Sequence, residues 1–166
     1  MSQVFNAEEI FAMGVRIEEN GRTFYLATAR NSSNSVIKDL FTSLADWETR
    51  HVELFEKMKK DLPSDLKNVE LYDPENSVHL YLKAAADSHI FIKNSDIEKL
   101  ALSCSTPAQA LELALQFEKD SVVFYSSMKE IVRDDLGREH LDKLIREELN
   151  HLGQLTRELE RLKPVS

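Results

Sequence analysis

Six residues stand out as a set able to do chemistry: Glu18, Glu48 with His51 three positions later, Glu118, and Glu148 with His151 three positions later. Side chains at i and i+3 of a helix lie about 60° apart around its axis, so each Glu-x-x-His pair points along one line. Shifting the sequence by 100 residues superimposes Glu18 on Glu118, Phe24-Tyr25 on Phe124-Tyr125, Leu44 on Leu144, Glu48 on Glu148 and His51 on His151. The segments IEENGRTFY and FEKDSVVFY read as two versions of one half-site, as do WETRH and EELNH, consistent with duplication of a helical hairpin; convergence on one register gives the same pattern. All four carboxylates fall on otherwise apolar stripes that carry no Lys or Arg. Buried together they need positive charge beside them, and two divalent cations balance four carboxylates more simply than several strongly shifted carboxyl groups. Oxygen-rich donors with one imidazole per ion suit two iron ions first, with manganese or zinc as substitutes. The shortage of sulfur argues against copper(I) and iron–sulfur clusters.

Such a site needs long helices to hold it. Ile10, Met13, Ile17, Phe24 and Tyr25 recur at helical steps behind Asn6, an N-cap with Glu9 three positions on, which predicts a helix at about 7–30. The polar run Asn31-Ser32-Ser33-Asn34 breaks it. Ile37, Leu40, Phe41, Leu44, Phe55 and Met58 then carry a second helix over about 35–61. Thr106, Pro107 and Gln109 form a helix start for a third at about 107–133, with Leu111, Ala114, Phe117, Phe124, Tyr125 and Met128 inward. Asp134-Asp135 opens a fourth at about 136–162, with Leu141, Leu144, Ile145, Leu152, Leu155 and Leu159 inward and Pro164 as its stop. A crossover over about 62–106 joins the two hairpins, with short helices from Glu75 to about Ala86 and from Asp96 to Leu102. The expected fold is all-α: one domain over 1–166, a four-helix bundle of two antiparallel hairpins in the layout of ferritin-like folds. The four glutamates lie near mid-helix and can meet at one level.

Composition narrows the function classes. A length of 166 residues suits one domain with a sizeable core. The net charge of -8 repels phosphate backbones and anionic membrane surfaces, so nucleic acid and membrane are excluded as expected partners. Cys104 is the single cysteine, which rules out an internal disulfide and a Cys-x-x-Cys metal knuckle. No apolar run has the roughly 20 residues a membrane span needs, and residues 1–9 lack the pattern of a signal peptide, so the expected location is the cytoplasm.

The E-x-x-G-x-x-F-Y of Glu18 to Tyr25, followed by E-x-x-H, resembles the ferritin-like superfamily and within it the rubrerythrin-like diiron-carboxylate proteins. The resemblance covers nearly the whole chain. It implies that Glu48 and Glu148 bridge two metals, that Glu18 and His51 complete one ion, and that Glu118 and His151 complete the other. It also makes Tyr25 and Tyr125 donors that each hold a carboxylate ligand in place. Rubrerythrins commonly carry a further Glu one turn after the third-helix ligand; Ser121 stands there, leaving a six-ligand set closer to that of bacterioferritins. The four cysteines of a rubredoxin domain are missing as well, so electrons would come from a separate donor protein. The implied activity is that of an oxidoreductase reducing hydrogen peroxide or dioxygen, working as a homodimer. One alternative is ferrous-iron oxidation and iron handling; another is a non-catalytic metal-binding helical scaffold.

Other polar residues carry less. His79, His89 and His140 have no glutamate three positions earlier and read as surface or locally bonded histidines. Glu147 could orient a ligand histidine by accepting its second ring proton, but it lies about 100° around the helix from Glu148 and reads at least as readily as solvent-exposed, so it is not counted with the ligands. Trp47 sits beside Glu48 and could cover the site, but reads first as filler between helices.

Overall fold

The Asn6 side chain accepts a hydrogen bond from the Glu9 backbone N–H and the Glu9 carboxylate accepts one from the Asn6 backbone N–H, closing the capping box that starts the first long helix, α1 (Ala7–Asn31). The structure, a computed structural model, describes residues 6–64, 75–88, 96–132 and 134–163. Asn34 caps α2 (Ser35–Asp61) through Val36 and Ile37, so three residues turn the chain into an antiparallel hairpin. In the crossover, α3 (Ser77–Ser88) lies against the third long helix and α4 (Ile97–Leu102), capped by Asp96, packs along α1. Thr106 and Gln109 form the second capping box, with Pro107 in the first turn, opening α5 (Pro107–Ile131).

The start of the last helix departs from expectation. Asp134-Asp135 does not cap it directly: residues Asp134–Leu136 form a 3₁₀ turn and α6 runs over Arg138–Arg161. Between them Gly137 adopts φ 100°, a left-handed conformation that interrupts the helical path and that a side chain would strain. The third long helix likewise stops two residues early, where Val132 turns extended. Pro164 and His89 lie outside the described residues.

α1 packs on α2, α5 on α6, and the two hairpins close on each other around a continuous core. Phe24 packs edge-on against Phe117 at 5.0 Å, and Phe55 lies 5.2 Å from Tyr125, tying the hairpins together above and below the middle of the bundle. Each buried aromatic ring contributes about 1.5–3 kcal/mol relative to an exposed one. Gly14 makes the Phe55 contact possible, because a Cβ there would meet the ring at 2.8 Å. Among the described residues no helix is long and apolar enough to cross a membrane.

Candidate metal centre

The mid-helix glutamates and their histidines converge as the spacing predicts. Glu18 on α1, Glu48 and His51 on α2, Glu118 on α5, and Glu148 and His151 on α6 are all at most 4 % exposed. One quartet, Glu18, Glu48, His51 and Glu148, offers donor atoms within 4.8 Å of one another. So does a second, Glu48, Glu118, Glu148 and His151. The quartets share Glu48 and Glu148.

Both imidazoles turn Nδ1 toward the carboxylates. His51 Nδ1 lies 3.0 Å from Glu148, 3.2 Å from Glu18 and 3.6 Å from Glu48. His151 Nδ1 lies 2.9 Å from Glu148, 3.5 Å from Glu118 and 3.9 Å from Glu48. The tyrosines cross over: Tyr25 on α1 donates to Glu118 on α5 at 2.5 Å, and Tyr125 on α5 donates to Glu18 on α1. Seven residues of helix span about 10.5 Å, so both bonds can form together only because α1 and α5 run antiparallel; in a parallel pair, closing one would open the other. Gly21 gives the Glu48 carboxylate room beside α1, with 3.6 Å between that group and the place a Cβ would take.

Burial pushes the carboxyls of Glu18, Glu48 and Glu118 above the ordinary carboxylate range, with repulsion from Glu18 adding to it at Glu48 and from Glu148 at Glu118. Burial acts the same way on Glu148, but the imidazoles of His151, hydrogen-bonded to it, and of His51 beside it outweigh burial and hold that group well below the range. Burial opposes charge on the imidazoles, yet their carboxylate neighbours win: His151 is pushed up to about 10 by Glu118 and Glu148, and His51 is raised strongly by Glu18, Glu148 and Glu48. Burial and then the Glu118 charge push the Tyr25 phenol up, so it stays a donor. Among the described residues these four carboxylates form ion pairs only with the two histidines. Glu148 Oε1 is buried without a well-directed hydrogen bond. Hard oxygen donors, two imidazole nitrogens and an unsatisfied buried carboxylate oxygen fit a pair of divalent cations.

Two neighbours do more than their spacing suggests. Glu147 reaches back across the helix interface, its Oε2 3.2 Å from His51 Nε2, and is only 21 % exposed at the side chain. Trp47 fills space as expected but also covers both imidazoles, at 6.5 Å from the His51 ring and 6.0 Å from the His151 ring, while Arg50 stacks on its outer side at 4.5 Å. His79 is buried on α3 and His140 half-buried on α6, and neither belongs to a quartet. Ser121 is buried one turn beyond Glu118, without a carboxylate to add.

The model of the Rubrerythrin family matches residues 9–159, which span all six candidate ligands. The chain belongs to the Rubrerythrin family. A solved structure from Thermotoga maritima, described as a ferritin-like diiron-carboxylate protein, is 23 % identical, with a TM-score of 0.75 over 98 % of this chain and 100 % of that one. An uncharacterised conserved protein from Magnetospirillum magnetotacticum is 17 % identical, with a TM-score of 0.61 over 98 % of this chain and 99 % of that one. At these identities the likeness shows a shared fold, the ferritin-like all-α bundle. A search of curated proteins returned no match. For a rubrerythrin-family chain, the buried Glu/His cluster is the place for a di-metal site.

Proposed function

We propose that this chain is a diiron-carboxylate oxidoreductase that reduces hydrogen peroxide or dioxygen with electrons from a separate donor protein. The observation that carries the reading is the pair of buried quartets sharing Glu48 and Glu148. Glu48 and Glu148, common to both quartets, would be shared by the two ions, with Glu18 and His51 holding one and Glu118 and His151 holding the other. When bound, the iron pair supplies the two electrons that, with two protons, convert hydrogen peroxide to two waters, and the donor restores them. Tyr25 and Tyr125 hold the terminal carboxylates, Glu118 and Glu18, by donating to them from the opposite helix. Phe24, Phe55 and Phe117 exclude bulk water from the bundle interior. The protein acts as a cytoplasmic homodimer in this reading.

Anaerobic loading with ferrous iron followed by rapid mixing with peroxide tests it. The expected result is one peroxide consumed per two ferrous ions, with repeated turnover when a reductant is supplied. A second reading, ferrous-iron oxidation for iron handling, draws on Ser121, which leaves a six-ligand set without the further glutamate. That reading requires faster reaction with dioxygen and release of ferric iron from the site. A loaded protein inert to both oxidants would leave only a structural role for the metals.

A further inference from the structure

The 100-residue register that pairs the six candidate ligands also pairs Glu147 with Trp47. Each faces the histidine of the other hairpin. Glu147 places a carboxylate oxygen 3.2 Å from His51 Nε2, while Trp47 sets its ring 6.0 Å from that of His151. A carboxylate accepting Nε2–H fixes the tautomer in which Nδ1 is free to bind metal, pins the ring and makes it a stronger donor. An indole has one N–H to donate and no acceptor, so Trp47 gives His151 none of this. Among the described residues the hydrogen bond of His151 is to Glu148, through Nδ1. A cavity of about 130 Å³ opens beside it, lined by Trp47, Glu147, Asn150, His151, Gln154 and Arg157.

We propose that the two halves of the centre are unequal by construction. The Glu18–His51 half takes the first ion and keeps it; the Glu118–His151 half is the exchangeable one, filled and emptied from the cavity beside Trp47. Glu147 is the positioning residue that creates the difference. The inference rests on the two-metal reading above. Partners of ligand histidines are typically worth about 10–100-fold in metal affinity, so the two stepwise constants should differ by about that factor.

The test is calorimetric and visible-absorption titration of the metal-free, full-length protein with cobalt(II), together with a crystal structure at one equivalent using anomalous scattering. Two resolved steps are expected, with the first ion beside His51. Glu147→Gln should weaken the first step by about tenfold or more and the second by less than threefold, because the amide accepts the same hydrogen bond without the charge. Glu147 lies at the surface edge of the site, so this change leaves the core packed. Trp47→Glu, which installs the missing counterpart, should strengthen the second step by about tenfold. Equal steps in the wild type, a first ion beside His151, or equal weakening of both steps by Glu147→Gln would overturn the inequality while leaving two bound ions. No cobalt uptake at all would overturn the two-metal reading and this inference with it.

Discussion

Loading the centre should release at least two protons, and the structure sets that number. In the metal-free protein His51 and His151 hold their protons above neutral pH, His151 to about 10, because the surrounding carboxylates outweigh their burial. Binding two dications requires both Nδ1 atoms unprotonated and all four carboxylates ionised. The imidazoles therefore lose two protons, and Glu18, Glu48 and Glu118, whose carboxyls are raised by burial, add up to three more. Each proton released changes the overall binding free energy by about 1.4 kcal/mol per pH unit, so the two-ion constant should rise at least about 100-fold per pH unit near neutrality. Calorimetric titration with manganese(II) or zinc(II) in buffers of different ionisation enthalpy counts these protons directly, and His151→Ala should lower the count by about one. The same shifts fix the pH dependence of the metal-free fold. A raised imidazole makes the folded state bind more protons than the unfolded one, so its stabilisation is present below pH 6.5 and lost as pH rises toward 10. Raised carboxyls have the same sign from about pH 4.5 upward, whereas the depressed Glu148 stabilises above that value and loses its contribution below it. Urea midpoints of chelator-treated protein should fall from pH 6.5 to 9. Release of fewer than one proton would refute the picture of protons standing where cations belong.

Three further outcomes follow from the geometry. Glu48→Ala should weaken both ions, since Glu48 belongs to both quartets, while His51→Ala should chiefly weaken one; equal single-ion losses in a metal titration would count against the bridging assignment. Gly14→Ala should destabilise the protein, because about 1–3 kcal/mol of overpacking against Phe55 exceeds the roughly 1 kcal/mol of helix propensity gained, whereas Gly21→Ala meets only ordinary contacts at 3.6 Å and should be neutral or slightly stabilising. Thermal melts of the two metal-free variants check the contrast, and identical shifts would sink it. Tyr25→Phe strips the donor from buried Glu118 and should cost about 1–3 kcal/mol, with the affinity loss falling on the ion beside His151. An unchanged second binding step in that variant would show that Glu118 needs no such support.

The helices were legible because their ends are written in local chemistry. Asn6 with Glu9 and Thr106 with Gln109 cap their own helices within four residues, and the apolar stripes give the inward face of each. Gly137 shows the limit: Asp134-Asp135 looks like a cap, but the left-handed residue after Leu136 moves the true helix start to Arg138. At the site, Glu18, Glu48, His51, Glu118, Glu148 and His151 were legible because each interrupts an apolar stripe in a register that repeats after 100 residues. Glu147 was legible only in part: its place beside Glu148 made it a candidate to orient a histidine, but its angle around α6 points it away from Glu148 and nothing in its own helix shows that α2 brings His51 within reach. One signal was available: Glu147 and Trp47 occupy the same place in the two half-sites.

The sequence alone determined which residues face inward, since helical periodicity sets every side chain's angle about its own axis. It therefore determined that acidic groups and imidazoles would be buried together and need positive charge among them. Only the packing of one helix against another decided that Tyr25 serves Glu118 and Tyr125 serves Glu18, that Glu147 meets His51, and that Trp47 lies over both imidazoles. Contacts between helices depend on how two axes approach and cross, and that geometry has no period along the chain.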